Sequence, residues 1–492
     1  MLARRASAAQ GDSPAMTTRY QPNWRSLRQH QTPRWFTDAK FGIYTHWGIY
    51  CVPAWGPNAT WYPYRMYREG EPHHAHHVKT YGHPSEFGYK DFIPDFNGAK
   101  FDADAWADLF KRAGAQFAGP VAEHHDGFAL WDSSHTEWNA ARMGPKRDVV
   151  GELARAVRRQ GMRYMVAMHH AENWWFFPHW RTDFDTSDPR YAGLYGEPHN
   201  LDFPPRDVEW DEQDKPSRAF LDAWKAKLVE VVDKYEPDYI WFDFGLKAVH
   251  EQYKQDFLAY YYNKEAEWDR GVVVTYKWDN LPPGVGVLDI ELGKMPDQAY
   301  HEWITDTTVD DGSGWGYLRE TTYKSATELV QYLVDNVSKN GLMLLNVGPK
   351  PDGTIPDEAV TALEGIGDWL RVNGEAIYGT TPWWTYGEGP TQMSVSGAFS
   401  DTKEKLAYQG SDIRFTVKGN VLYAICLDWP EPTFTIESLK TLYPGEIRSV
   451  ELLGNDGELA WRMTAEGLEI ERPDRRPCDS AYAFKITRNT SM

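Results

Sequence analysis

The sequence predicts an α/β fold, a (β/α)8-like TIM barrel followed by a C-terminal all-β sandwich domain. Three observations carry this expectation. Between about residues 35 and 378, short apolar runs rich in β-branched and aromatic residues alternate with longer amphipathic stretches, the pattern of βα units around a parallel sheet. There are enough such units to close a barrel, and neither a G-x-G-x-x-G nor a G-x-x-x-x-G-K-[ST] loop favours an open doubly wound sheet. After residue 378 the helical period gives way to short alternating runs separated by Gly, Asn, Asp and Pro.

In chain order, the predicted strands are 41–47, 117–123, 164–170, 239–244, 271–276, 287–291, a weaker run at 303–307, and 342–347. The amphipathic stretches between them predict helices at 104–113, 148–160, 217–235, 250–264 and 325–339. Beyond the barrel, 413–417 and 421–425 alternate as half-buried strands do. The expected domains are a disordered leader at 1–18, a catalytic barrel at 19–380 and a β-sandwich at 381–492.

Composition narrows the function. With 52 Lys+Arg against 71 Asp+Glu the net charge is −19, which disfavours nucleic acid and anionic lipid as partners. Hydrophobic residues at 41% and charged residues at 25% suit a compact fold. The 23 Trp, 28 Tyr and 21 Phe are an unusual supply of flat apolar faces. Sugar rings pack their C–H patches on such faces, although large Trp-rich cores would also use them. Three cysteines without a CxxC pair support neither a disulfide framework nor a thiolate zinc site. The first residues lack an apolar h-region and no stretch is long enough to span a membrane, so the expected location is cytoplasmic, with secretion left open and no membrane partner.

Ionisable and aromatic residues gather at the C-terminal ends of the predicted strands, where barrel enzymes place their active sites. The first ends in Thr45-His46-Trp47, the second in Glu123-His124-His125-Asp126, the third in His169-His170. The fourth closes on Asp243 between aromatic residues, and Glu291 follows two strands further round. Two strand-end carboxylates are what glycoside hydrolysis requires, about 5–5.5 Å apart in retaining enzymes. The histidine pairs could instead ligate zinc or iron, but adjacent residues on a strand point to opposite faces, so each pair is expected to offer one inward ring, and no metal is expected. The tract from His73 to His77 is expected in a polar loop at the rim.

Laid out in this way, the chain resembles the α-L-fucosidases of glycoside hydrolase family 29. The matching segments run in order: Trp35-Phe-x-x-x-Lys-Phe-Gly-Ile-Tyr-Thr-His-Trp-Gly-Ile-Tyr50, Val52-Pro-Ala-Trp55, His124-His-Asp-Gly-Phe-Ala-Leu-Trp-Asp-Ser-Ser134, Gly144-Pro-Lys-Arg-Asp-Val-Val150, Trp241-Phe-Asp243, Thr305-Asp-Thr307, Gly314-Trp-Gly-Tyr317 and Asn340-Gly-Leu-Met-Leu-Leu-Asn-Val-Gly-Pro349. The resemblance implies a retaining exo-α-L-fucosidase without a cofactor, acting on a fucosylated oligosaccharide or glycoconjugate, with homo-oligomer formation left open. It implies Asp243 as nucleophile and His46, Trp61, His124, His125, Trp241 and Trp315 as the lining of a fucose pocket. For the acid/base it points to Glu291, with Glu302 as runner-up. Where relatives often carry Tyr after the third strand, this chain has His169-His170, of which His170 is taken to face the sugar. Lys277 stands where some relatives have a guanidinium, and Thr60 replaces the Glu of a Glu-Trp-Tyr motif. The alternatives are a non-catalytic fucose-binding protein, a glycosidase for a related sugar such as α-L-galactose, and a metal hydrolase.

Overall fold

The computed structural model describes residues 19–199, 215–312, 314–443 and 445–489; the predicted leader lies outside them. Eight parallel strands close a barrel in sequence order: β1 (Phe41–Thr45), β2 (Phe117–Glu123), β3 (Arg163–Met168), β4 (Tyr239–Phe242), β5 (Val273–Lys277), β6 (Val287–Asp289), β7 (Trp303–Thr308) and β8 (Gly341–Val347). β1 pairs with both β2 and β8, which removes every sheet edge. Most of these strands are apolar on both faces because helices cover them outside and packed side chains fill them inside. Phe117, Tyr44, Met165, Tyr239, Ile304 and Leu342 belong to that inner filling. Several strands stop short of the predicted ends: β3 ends at Met168, β4 at Phe242 and β6 at Asp289, so His169, His170, Asp243 and Glu291 lie on the first residues of loops.

The surrounding helices begin where the sequence offers caps. Asp102 accepts from the Asp104 and Ala105 amides to start Ala103–Arg112, and Asp148 accepts from the Gly151 amide to start Val149–Arg159. Ser217 caps Arg218–Tyr235, and Ser325 and Glu328 form a capping box on Ala326–Ser338. Glu251–Trp268 and Asp357–Asn373 complete the set that covers the barrel. Between β5 and β6, and between β6 and β7, the described residues form loops only, and a groove of about 1530 Å³ opens on that flank.

One expectation is corrected here. The histidine tract is a helix, Pro72–Thr80, rather than a rim loop. Its i, i+4 spacing puts His73 and His77 on one face, and both are buried; His77 hydrogen-bonds the Tyr62 hydroxyl at 3.1 Å and the Phe87 carbonyl at 2.9 Å.

The C-terminal part is two antiparallel sheets. One has the order β13 (Ile447–Leu452), β16 (Tyr482–Arg488), β11 (Val421–Cys426), β10 (Ile413–Lys418), β9 (Thr381–Glu388). The other has the order β12 (Thr433–Ile436), β15 (Leu468–Glu471), β14 (Trp461–Met463). Phe415, Leu422 and Phe484 from the first meet Ile436, Leu468 and Ile470 from the second in one core. β10 turns into β11 through Gly419-Asn420, with Gly419 at φ 61° as a two-residue hairpin requires. The module docks on the barrel helices. Asp335, fully buried, receives Lys339 Nζ at 2.7 Å and Arg414 Nε at 2.6 Å, and removing it would strand two buried cations at a cost of about 3–5 kcal/mol.

Candidate active site

The strand ends of the barrel converge on one buried cluster. His46 follows β1, and its backbone amide and Nδ1 both approach the side-chain oxygen of Asn346 on β8, at 3.0 and 2.8 Å. His124 and His125 follow β2, His169 follows β3, Asp243 and Phe244 follow β4, Lys277 ends β5 and Glu291 follows β6. With Thr60, Trp61, Trp241, Asp306 and Trp315 these residues line a single cavity.

Asp243 has three charged or ring partners there. Its Oδ2 lies 2.9 Å from His169 Nδ1 and 3.3 Å from His125 Nε2, and its Oδ1 lies 3.1 Å from Lys277 Nζ. Burial pushes its pKa up, yet the Lys277 ammonium and the two imidazoles outweigh it and hold the carboxyl well below its usual range. Lys277 also touches Glu291 Oε2, at 2.7 Å. Two contacts of 3.1 and 2.7 Å to one nitrogen confine the facing oxygens of Asp243 and Glu291 to within ~6 Å of each other, short of the about 6.5–9.5 Å separation that inverting enzymes keep. Glu291 is shifted the other way: burial raises its pKa, the Asp243 charge raises it further, and Lys277 offsets only part. One carboxylate held ionised beside another pushed toward its protonated form is how paired acids divide nucleophile and proton-donor roles.

Beneath them lies a second acidic pair. Asp289 accepts from Trp241 Nε1 at 2.6 Å and from the Asp306 amide at 3.1 Å, while Asp306 Oδ2 accepts from the Tyr44 hydroxyl at 3.0 Å and faces Lys277 at 3.5 Å. Four buried carboxyls thus share one ammonium. Burial raises Asp289 to about 6, and burial together with the Asp289 charge lifts Asp306 well above the usual carboxylate value, so the lower pair is pushed toward its protonated form. Lys277 itself stays charged: burial acts against it, but Asp243, Asp306 and Glu291 raise its pKa well above the usual value.

His46, His124 and His169 are held neutral. Burial lowers His46 and His124 well below 6.5 and takes His169 to about 4 even against the attraction of Asp243. A neutral imidazole donates from one nitrogen and accepts at the other, which suits sugar hydroxyls. The rim is held under backbone strain. Trp278, Leu292 and Trp315 have φ of 51°, 45° and 54°, and the first two directly follow Lys277 and Glu291.

Most sequence-derived candidates meet here: His46, Trp61, His124, His125, Trp241, Asp243, Lys277, Glu291 and Trp315. Three expectations are corrected. His170 does not face the cavity; its Nε2 meets the Trp224 carbonyl at 3.2 Å, and His169 takes the inward place. Glu302 stands immediately before β7, at the opposite end of the barrel, near Lys40 before β1. Both His124 and His125 face the cavity, because β2 is irregular between Val121 and Glu123 and ends there, so strict alternation no longer applies. As a result His46, His124 and His169, and separately His125, His169 and Asp243, bring ligand-capable atoms within 4.8 Å of one another. Sequence reasoning missed His169, Phe244 and Asp306 as cavity residues. Each adjoins or sits within a quoted motif, which was the available signal.

Two family models match the chain: Alpha-L-fucosidase over residues 7–375 and Alpha-L-fucosidase C-terminal domain over 408–487. The tissue alpha-L-fucosidase of Rattus norvegicus is 32% identical over 487 residues, covering 95% of this chain and 93% of the rat protein. The plasma alpha-L-fucosidase of Homo sapiens is 33% identical over 489 residues, covering 96% and 93%. Among solved structures, Thermotoga maritima alpha-fucosidase in complex with fucose superposes with a TM-score of 0.73 at 34% identity, covering 95% of this chain and 100% of that one. The same enzyme in complex with a mechanism-based inhibitor gives 0.74 at 34%, covering 96% and 100%.

Proposed function

Because the chain belongs to the alpha-L-fucosidase family, we propose that it hydrolyses terminal α-L-fucosyl residues of glycans with retention of configuration, Asp243 acting as nucleophile and Glu291 as general acid/base. Ionised Asp243 attacks the anomeric carbon while Glu291 passes its proton to the glycosidic oxygen, which leaves as the sugar alcohol. Glu291 then takes a proton from water, and the resulting attack releases fucose and frees Asp243. Each step moves a proton between named groups. His169 and His125 keep the Asp243 carboxylate aimed, and the neutral histidines with Trp61, Trp241 and Trp315 supply hydroxyl contacts and apolar faces for a 6-deoxy sugar.

The observation that carries this reading is the single ammonium of Lys277 between two carboxyls whose pKa values are driven apart. The experiment is trapping with 2-deoxy-2-fluoro-α-L-fucosyl fluoride, followed by proteolysis and peptide mass analysis. The expected adduct is one fluorofucosyl group on Asp243; a label on any other residue would remove Asp243 from that role.

A further inference from the structure

We propose that Trp278 forms an acceptor subsite that holds the pyranose ring of the leaving sugar, a proposal that rests on the fucosidase reading above. Trp61 and Phe244 line the cavity, and their rings lie 6.0 Å apart at 23°. Phe244 in turn stacks on Trp278 at 5.7 Å and 18°. Nearly parallel rings at these separations are offset, so each overhangs the next. The result is a stepped aromatic path from the cavity wall to an indole that is 47% exposed.

Its direction matches the chemistry. The proton donor Glu291 sits 2.7 Å from Lys277, and Trp278 is the next residue along the chain. The leaving oxygen receives the Glu291 proton, so the sugar attached to that oxygen departs on this side. The step is also a built feature. Trp278 has φ 51°, a conformation bulky residues avoid. It is held there by Asn280, whose side chain donates to the Lys277 carbonyl at 2.5 Å and accepts from the Lys247 amide at 2.7 Å. Lys247 and Asp279, paired at 3.1 Å and both exposed, flank the indole with groups that hydrogen-bond hydroxyls. Beyond them the flank groove, lined by Trp278, Lys247, Asp279 and Asn280, gives room for further sugars. The ligand class is therefore a neutral hexopyranose with an apolar C–H face, within an oligosaccharide.

The test compares kcat/KM for α-L-fucosyl fluoride, whose leaving group has no ring, with that for the best fucosyl disaccharide of an α-1,2, α-1,3, α-1,4 and α-1,6 panel. In Trp278→Ala and Trp278→Gly the disaccharide-to-fluoride ratio should fall about tenfold, and Trp278→Tyr should restore most of it. The glycine variant relieves the backbone strain, so strain at this position cannot account for its loss. An unchanged ratio in both small variants, or a tyrosine variant as poor as alanine, overturns the subsite. A wild type inert toward the fluoride would instead overturn the fucosidase reading.

A different observation carries a second inference: we infer that the C-terminal module is a positioning element for Glu291. Its segment 397–401 lies along the Glu291 loop as an added strand would. The Phe399 amide donates to the Glu291 carbonyl at 2.7 Å, the Asp401 amide to Leu292 at 2.8 Å and the Gly397 amide to Lys294 at 2.8 Å. Ser400 Oγ accepts from the Lys294 amide at 2.9 Å, and Asp401 pairs with Lys324 at 2.8 Å. Ser400→Ala and Asp401→Asn should steepen the dependence of kcat/KM on leaving-group pKa across a series of aryl fucosides, since a misplaced acid harms poor leaving groups most. A uniform loss over the series, or no kinetic change beside a lowered Tm, overturns it.

Discussion

Lys277 Nζ lies 2.7 Å from Glu291 Oε2, so the residue read as the proton donor is in contact with the one cation that also serves Asp243. Burial raises Glu291, Lys277 lowers it and the Asp243 charge raises it again, a balance that a single substitution can tip.

Replacing that cation should move both limbs of the pH–rate profile in one direction. In Lys277→Met, Asp243 loses its strongest stabilising charge, its pKa rises, and the acid limb of kcat/KM moves to higher pH. Glu291 loses the same lowering influence, so the alkaline limb also moves up. The whole bell should therefore shift toward alkaline pH with a rate loss of about 10²-fold or more at its maximum. A profile that only loses height would show that Lys277 binds sugar without tuning either carboxyl.

The two third-strand histidines should part company on mutation. His169→Ala removes a 2.9 Å contact to Asp243 and should lower kcat with a small change in Tm. His170→Ala opens a hole against Trp224 and should lower Tm while sparing kcat. Kinetics and thermal melts on both variants decide it; the reverse pattern would restore His170 to the sugar.

The histidine clusters also call for a metal test, because their ligand-capable atoms lie within 4.8 Å of one another. Every step of the proposed cycle is carried by carboxyls and water, so extended dialysis against EDTA should leave kcat/KM unchanged. Activity lost on dialysis and regained with zinc or iron would reassign His46, His124 and His169 as ligands.

Much of this was legible in the sequence. The alternation of runs marked the strands because most of them are apolar on both faces, a signal that survives without neighbours and that fades at β7, Trp303–Thr308, where Thr and Asp dominate. The strand-end motifs likewise exposed Asp243 and Glu291, whereas Lys277 came only through the family resemblance. What stayed hidden depended on where strands stop. Period-two alternation allowed only one inward member of the His169-His170 pair and the family resemblance pointed to His170, but β3 ends at Met168 and the loop turns the first histidine inward. The same local ending lets His124 and His125 share the cavity. Asp289 and Asp306 looked like ordinary strand residues; the rise in their pKa values comes from burying several carboxyls together, which only the closed barrel does. The contact of 397–401 with the Glu291 loop joins segments about 110 residues apart, and no local pattern records it.

The acid/base assignment can be tested directly through the leaving group. An activated aryl group departs unaided, whereas a sugar alkoxide needs a proton, so loss of the donor should penalise substrates in proportion to that need. Glu291→Ala should therefore slow fucosyl disaccharides far more than an activated aryl fucoside. With the aryl substrate, removal of fucose from Asp243 should become limiting, because no base remains to activate water. The covalent intermediate should then accumulate, visible as a burst of aryl alcohol, and azide should speed turnover because it attacks without base assistance. Glu302 lies at the far end of the barrel beside β7, so Glu302→Ala should show neither the burst nor azide rescue. If Glu302→Ala gave the leaving-group-dependent loss and Glu291→Ala slowed every substrate alike, the Lys277–Glu291 contact would be structural, and the proton would have to reach the glycosidic oxygen from another group.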